Sequence, residues 1–329
     1  MKKILFLLFL SVIGLFGCGN KKSQKIEKEL FSFGTYIKIT VYDEDSKKAE
    51  KAIEAAFKEI ERIDNKLNTK KNGSIIDQIN SNKDKRVKLD SEGKEIFSRV
   101  SQMYELSKGK YDITISPLLE TWGFTTEGSV KVPSKTEIDT ALSKIDYSKV
   151  SIKDDYLMFR EPVEKIDTGS FLKGYAISKA KVLMEEMGIK SAFITSISSI
   201  ETIGTKPGDK KWRIGLQNPS DPSKMLDVVN LDDKAMGVSG DYQTFVEIDG
   251  KRYHHILDLD TGYPVSDKKM VVVICEDAFT ADLLSTTFFS MPIKEILKYA
   301  EEMKNVDVFI VDSDSRITTS AGFNYFLKK

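Results

Sequence analysis

The sequence predicts an α+β protein, a single domain in which mixed and antiparallel sheets carry flanking helices. Three observations support this. Short β-rich stretches alternate with amphipathic helix patterns along most of the chain. Two strand patterns, Ser151–Ile152 and Tyr156–Phe159, are separated only by Lys153-Asp154-Asp155, the signature of a hairpin and so of antiparallel pairing. No internal repeat and no low-complexity linker divides the 329 residues.

The N-terminus stands apart from that domain. In residues 1–17, MKKILFLLFLSVIGLFG, Lys2 and Lys3 precede an apolar run shorter than the ~20 residues a spanning helix needs. That is the layout of a secretory signal. The following Leu15-Phe16-Gly17-Cys18 resembles the lipobox of bacterial lipoproteins, which implies that Cys18 becomes a lipidated N-terminus. Lys21, Lys22 and Lys25 then belong to a polar tether over 18–27, and the domain is expected over 28–329. The expected location is outside the cytoplasm, on a bacterial membrane held through the lipid alone, at its periplasmic or extracellular face.

Within the domain, Tyr36–Tyr42 alternates as a strand. Ala49, Ala52, Ile53, Ala56, Ile60, Ile63 and Leu67 then recur at helical spacing with charges on the far face. Further helices are expected over Glu92–Lys108, Lys135–Lys144, and Phe171–Met187, the last stopped by Gly188. Strands follow at Ser191–Thr195, Trp212–Gln217, Asp227–Leu231, Tyr242–Ile248 and Met270–Cys275. Helices over Phe279–Phe289 and Ile293–Glu302 and strands at Val306–Val311 and Arg316–Thr318 close the chain.

Composition narrows the function. With 50 Lys+Arg against 50 Asp+Glu the formal charge is zero, and cleavage before Cys18 makes it −2. That balance argues against a nucleic-acid binder, which would need a basic face to hold phosphates, so no nucleic-acid partner is expected. Two cysteines make neither a disulfide framework nor a four-thiolate zinc site, and Cys275 inside VVVIC reads as an inert strand residue.

Four clusters ask for more than packing. Asp167-Thr168-Gly169-Ser170 leads into a helix start carrying Lys173. Free N–H groups there suit a phosphate, although an ordinary turn with a surface lysine reads the same way. His254 and His255, the only histidines, sit side by side at a strand end. One of them can enter a given site, and without an HxH or HExxH spacing proton transfer suits it better than zinc. Asp282 and Thr286 share a helix face and offer the oxygens a hard cation such as Mg2+ prefers, while Thr280 alone could fill a capping role. Tyr111–Leu118 running on to Trp122-Gly123-Phe124 can be a stacking wall for a planar ligand or a lid on the core.

In order, these clusters resemble the ApbE family, the bacterial FAD:protein FMN transferases. The most telling pieces are MGVSGDYQTFVEIDGKRYHHILDLDTGYPV and TADLLSTTFF, with Gly34-Thr35, Ser74, Asn80, YDITISPLLETWGF and Lys173-Gly174-Tyr175 in register. The resemblance implies an ApbE-like fold that holds FAD in a cleft with Mg2+ on its pyrophosphate. It implies transfer of FMN to a threonine of an exported flavoprotein, in a D/S-G-x-S/T-x-A-T type motif, with release of AMP. Asp282, Thr286 and the Ser170 carbonyl then match the metal ligands, and Lys173 the lysine beside the phosphates. His255 and Asp241 match catalytic positions. Gly34, Thr35, Trp122, Ser239, Gly240 and Tyr242, with Lys173 and His255, match the FAD site. Two stretches depart from the family pattern: Asp-Thr-Gly-Ser-Phe-Leu-Lys-Gly-Tyr at 167–175, and Thr195-Ser196-Ile197-Ser198-Ser199-Ile200, each lacking a Gly-Gly pair. FAD pyrophosphate hydrolysis and non-catalytic FAD storage are the alternative functions.

Overall fold

The computed structural model describes residues 22–81, 85–125 and 130–327. The chain opens with a hairpin of β1 (Gln24–Ser32) and β2 (Thr35–Asp43), turned at Phe33-Gly34. Helix α1 (Ser46–Leu67) follows, its first N–H groups capped by Asp45, and it buries the alanine and isoleucine stripe read from the sequence. Next come α2 (Ile75–Ser81), β3 (Arg86–Lys88), α3 (Ser91–Leu106), α4 (Ser116–Trp122) and α5 (Lys135–Leu142). The expected hairpin is β4 (Val150–Lys153) with β5 (Tyr156–Phe159). Its turn places Asp154 and Asp155 at φ 49° and 65°, a left-handed conformation that aspartate tolerates. Helix α6 (Leu172–Glu186) leads to β6 (Ala192–Ser196) and β7 (Ser199–Ile203). Two small hairpins, β8 (Trp212–Gln217) with β9 (Met225–Leu231) and β11 (Phe245–Ile248) with β12 (Lys251–His254), flank β10 (Ala235–Gly240). The chain ends with β13 (Lys268–Cys275), α7 (Ala278–Phe289), α8 (Ile293–Glu302), β14 (Asp307–Asp312) and β15 (Ile317–Thr319).

Eight strands form one sheet in the order β1-β2-β6-β7-β10-β13-β14-β15, antiparallel throughout. Helices α1, α6 and α7 bury one face, and the β8–β9 hairpin with Phe323 and Phe326 covers the other. With both faces covered, β13 is apolar on both sides, which explains its continuous MVVVIC run. Burial raises the Cys275 thiol pKa well above its usual value, as fits a packing residue.

Three departures from the expected elements have physical reasons. The tether expected over 18–27 overlaps β1, which begins at Gln24; its charged residues face solvent at the sheet edge while Ile26 and Leu30 pack inward. Strands β7 and β10 carried no recognisable pattern because they are rich in Ser, Thr, Gly and Glu. They lie directly under α7, where a Cβ on Gly237 would come within 2.5 Å of the Ala281 backbone. The strand expected from Tyr242 begins only at Phe245.

The β6–β7 turn holds Ile197 at φ 42° with its side chain 75% exposed. A β-branched residue is strained there. Ile197→Gly is expected to raise stability by roughly 0.5–1 kcal/mol, because the relieved strain exceeds the added unfolded-state entropy. A lower midpoint on thermal unfolding would show instead that the isoleucine makes a stabilising contact.

Candidate active site

The N-terminal ends of α6 and α7 meet at Gly174. A Cβ at that position would lie 2.2 Å from the Ala278 carbonyl oxygen and 2.7 Å from Asp282 Oδ2, so only glycine allows the approach. The Gly174 N–H donates to Asp282 Oδ2 at 2.9 Å, and the Ser199 hydroxyl donates to the same atom at 2.7 Å. Two donors thus fix the carboxylate, and its other oxygen has no hydrogen-bond donor among the described residues. Burial pushes the Asp282 carboxyl up to about 7, opposed by the charge of Lys173.

Thr286, one turn along α7, lines the same cleft, with its hydroxyl 3.3 Å from that of Ser239. The Ser170 hydroxyl meets Tyr111 OH at 2.9 Å. No backbone N–H among the described residues reaches the Ser170 carbonyl, because the Gly174 N–H that would close that turn goes to Asp282. The donor set is therefore one carboxylate, one hydroxyl and one free carbonyl. Among the described residues no group of three or more His, Cys, Asp or Glu could hold a metal. Sparse oxygen donors of this kind fit Mg2+, which keeps much of its shell for water and phosphate, and do not fit zinc.

The two histidines separate as their alternation requires. His254 is buried: its Nε2 lies 2.8 Å from the Val265 carbonyl, its ring stands edge-on to Phe289, and burial lowers its pKa. His255 borders the cleft. Its Nδ1 is 3.2 Å from the Thr244 carbonyl, which can only accept, so Nδ1 carries the proton and Nε2 is left basic. Desolvation, with smaller contributions from His254 and Lys173, pushes its pKa down to about 4. The ring is enclosed by side chains yet retains an open edge, and it is neutral at pH 7.

The cleft comprises hollows of about 200 and 450 Å3 that share Leu119, Asp167, Gly169, Lys173 and His255. Together they reach the size usual for cofactor sites. Ser170, Ser239, Asp282 and Thr286 lie in the first, and Gly34 with Phe33 and Phe124 in the second. Lys173, in the first turn of α6, faces both.

Other expected residues lie elsewhere. Trp122 is fully buried behind the cleft, donating from Nε1 to the Gly262 carbonyl at 2.8 Å and packing with Leu118 and Ile138. Of the Trp122-Gly123-Phe124 stretch it is Phe124 that borders the cleft. Gly240 provides room for the Tyr242 ring, 2.4 Å from where a Cβ would be, and Tyr242 packs toward Met270. Thr35 begins β2 beside the turn and does not line the cleft. Asp241 faces a separate hollow with Arg252. Asp241, Trp122, Tyr242, Gly240 and Thr35 are thus outside the linings of the two hollows.

The sequence readings gave no role to two residues, Asp167 and Glu201. Asp167 borders both hollows, with its carboxylate accepting from the Gly169 N–H at 2.7 Å and its pKa raised by burial. Fully buried Glu201 accepts from the Ser178 hydroxyl (3.1 Å), Lys181 Nζ (3.2 Å) and the Ala278 N–H (2.7 Å), tying β7 to α6 and to the start of α7. An isolated glutamate in a serine-rich stretch carries no sequence signal for that role.

Comparisons with known proteins match the chain and its fold to one family. The sequence profile of the ApbE family matches residues 33–310. The crystal structure of the ApbE protein of Thermotoga maritima is 33% identical, with a TM-score of 0.85, covering 93% of this chain and 100% of that one. The flavin transferase ApbE of Vibrio cholerae shares the fold, with a TM-score of 0.81 at 22% identity, covering 93% of this chain and 100% of that one. The FAD:protein FMN transferase of Escherichia coli strain K12 is 27% identical over 263 residues, 78% of this chain and 75% of its own.

Proposed function

This chain belongs to the ApbE family, and on that premise we propose that it is an FAD:protein FMN transferase acting on a threonine hydroxyl of an exported flavoprotein. One observation carries the reading: the oxygens of Ser170, Asp282 and Thr286, the cation of Lys173 and the neutral imidazole of His255 converge on one cleft. Ser170, Asp282 and Thr286 would hold Mg2+, and the chemistry a bound Mg2+ supplies there is neutralisation of charge growing on the pyrophosphate. Lys173 adds a second positive charge on the phosphates. The threonine oxygen forms a bond to the FMN phosphorus as the phosphorus–oxygen bond to AMP breaks. His255 Nε2 takes the hydroxyl proton, and AMP leaves.

The location belongs to the same proposal. Residues 1–17 and Cys18 lie outside the described residues, and an exported, lipid-anchored enzyme is supported by their sequence layout. Among the described residues no helix is long and apolar enough to cross a membrane.

The test incubates the chain from residue 19 onward with FAD, Mg2+ and a small protein carrying the acceptor motif. An acceptor mass increased by one FMN moiety, with AMP released and both lost on adding a chelator, is the expected result. With Mg2+ saturating, so that Asp282 stays ionised, the rate is expected to hold across neutral pH and fall as pH drops toward 4, where the His255 imidazole takes up a proton. AMP without a modified acceptor would make the protein an FAD pyrophosphatase. FAD binding with neither product would make it a carrier.

A further inference from the structure

His255 borders the cleft, but its neighbour His254 borders a separate hollow of about 270 Å3, between the β11–β12 hairpin, Tyr263–Ser266 and the start of β13. Four cations, Lys251, Arg252, Lys268 and Lys269, surround a single carboxylate, Asp241, in its lining. Buried Lys268 is already matched by Asp267 at 2.7 Å and the Met291 carbonyl at 2.8 Å. The others are not matched in this way. Lys269 reaches only the hydroxyls of Ser220 (3.1 Å) and Ser315 (2.9 Å). Arg252 lies over the exposed Phe245 ring at 4.3 Å and makes one long ion pair, 3.8 Å, with Asp241 Oδ1. That oxygen is buried and has no hydrogen-bond partner.

The excess of cations over carboxylates in this lining suits an anionic ligand. Free phosphate is anionic as well, but it has nothing to lay against the exposed Phe245 and Tyr263 rings. An acidic peptide segment has carboxylates for the cations and apolar side chains for the rings, and the exposed arginine and aromatics, Arg252, Phe245 and Tyr263, are the composition of a protein-binding patch. The hairpin that carries the patch also holds the active-site base, because Thr244, which accepts from His255, immediately precedes Phe245. We infer that this hollow docks an acidic segment of the acceptor protein, with its carboxylates on Arg252 and Lys269. The inference rests on the transferase reading.

Steady-state transfer to the motif-bearing acceptor tests it, comparing the wild type with Arg252→Gln, Lys269→Gln and the exposed Lys251→Glu, each checked for folding by thermal melt. KM for the acceptor is expected to rise about tenfold, with kcat at saturation and the FAD Kd unchanged, and added salt should raise KM in the wild type more than in the variants. Should Arg252→Gln lose the hairpin, the other two variants decide. Wild-type transfer with acceptor KM unchanged in the folded variants overturns the docking site alone. A wild type that transfers no FMN overturns the transferase reading, and this inference with it.

Discussion

Asp282→Asn is expected to lower kcat for FMN transfer by on the order of 10³-fold while leaving the fold intact. The amide oxygen can still accept from the Gly174 N–H and the Ser199 hydroxyl, so the junction between α6 and α7 keeps its hydrogen bonds. What changes is the atom facing the cleft, where an NH2 group replaces a negatively charged oxygen and repels a cation. A stability signature accompanies the loss. Because burial raises the Asp282 carboxyl from 3.8 to about 7, its neutral form is the one the fold favours. Its contribution is complete below the unfolded value near 4 and is lost as pH rises through 7. Asparagine removes that dependence, so the metal-free variant should melt at or above the wild type at pH 8. Mg2+ should then raise the melting temperature of the wild type only. An asparagine variant that keeps its activity, or that Mg2+ still stabilises, would remove Asp282 from the metal site.

Glu201→Ala is expected to cost about 3–5 kcal/mol, the largest loss of stability from one side chain near the site. The carboxylate is fully enclosed, and burial pushes its pKa up to about 7 although Lys181 pulls the other way. Truncation leaves Lys181, only 14% exposed, without its counter-charge, and it leaves the Ala278 N–H without an acceptor. Glu201→Gln should cost less, because an amide oxygen still serves Ala278. Replacing both members of the pair with apolar residues of similar volume should recover much of the loss. Urea denaturation measures all three, and a loss under about 1 kcal/mol for the alanine variant would show that the pair contributes little.

Local rules carried the reading where burial is one-sided. The stripe of α1, the Asp154-Asp155 turn and the stop of α6 at Gly188 (φ 79°) each follow from residues within a few positions of one another. Asp282 with Thr286, and the separation of His254 from His255, were legible for the same reason, since helix and strand periodicity dictate which residues share a face. What escaped depends on distant chain. Strands β7 and β10 look like loops until α7 is laid on them, because their serines and glycines are chosen for close approach. Glu201 has meaning only once α6 and α7 are both in place. Trp122 and Phe124 are indistinguishable as sequence, and only the Gly262 carbonyl, 140 positions away, draws the indole inward. Asp241 follows a cleft residue, Ser239, by two positions, but the chain has left β10 and turned by then.

The contact at Gly174 also makes the cleft mechanically lopsided. Two helix backbones that meet where no Cβ would fit, and that share hydrogen bonds through Asp282 and Glu201, cannot slide or part without breaking several bonds at once. The wall bearing Ser170, Asp282 and Thr286 is therefore an anvil. The opposite wall carries His255 at the root of β11–β12, a two-stranded sheet outside the main one, with little apolar burial to stiffen it. Breathing of the cleft falls to that hairpin. On the proposed mechanism, the proton acceptor would sit on the less braced wall and the groups facing the phosphates on the braced one.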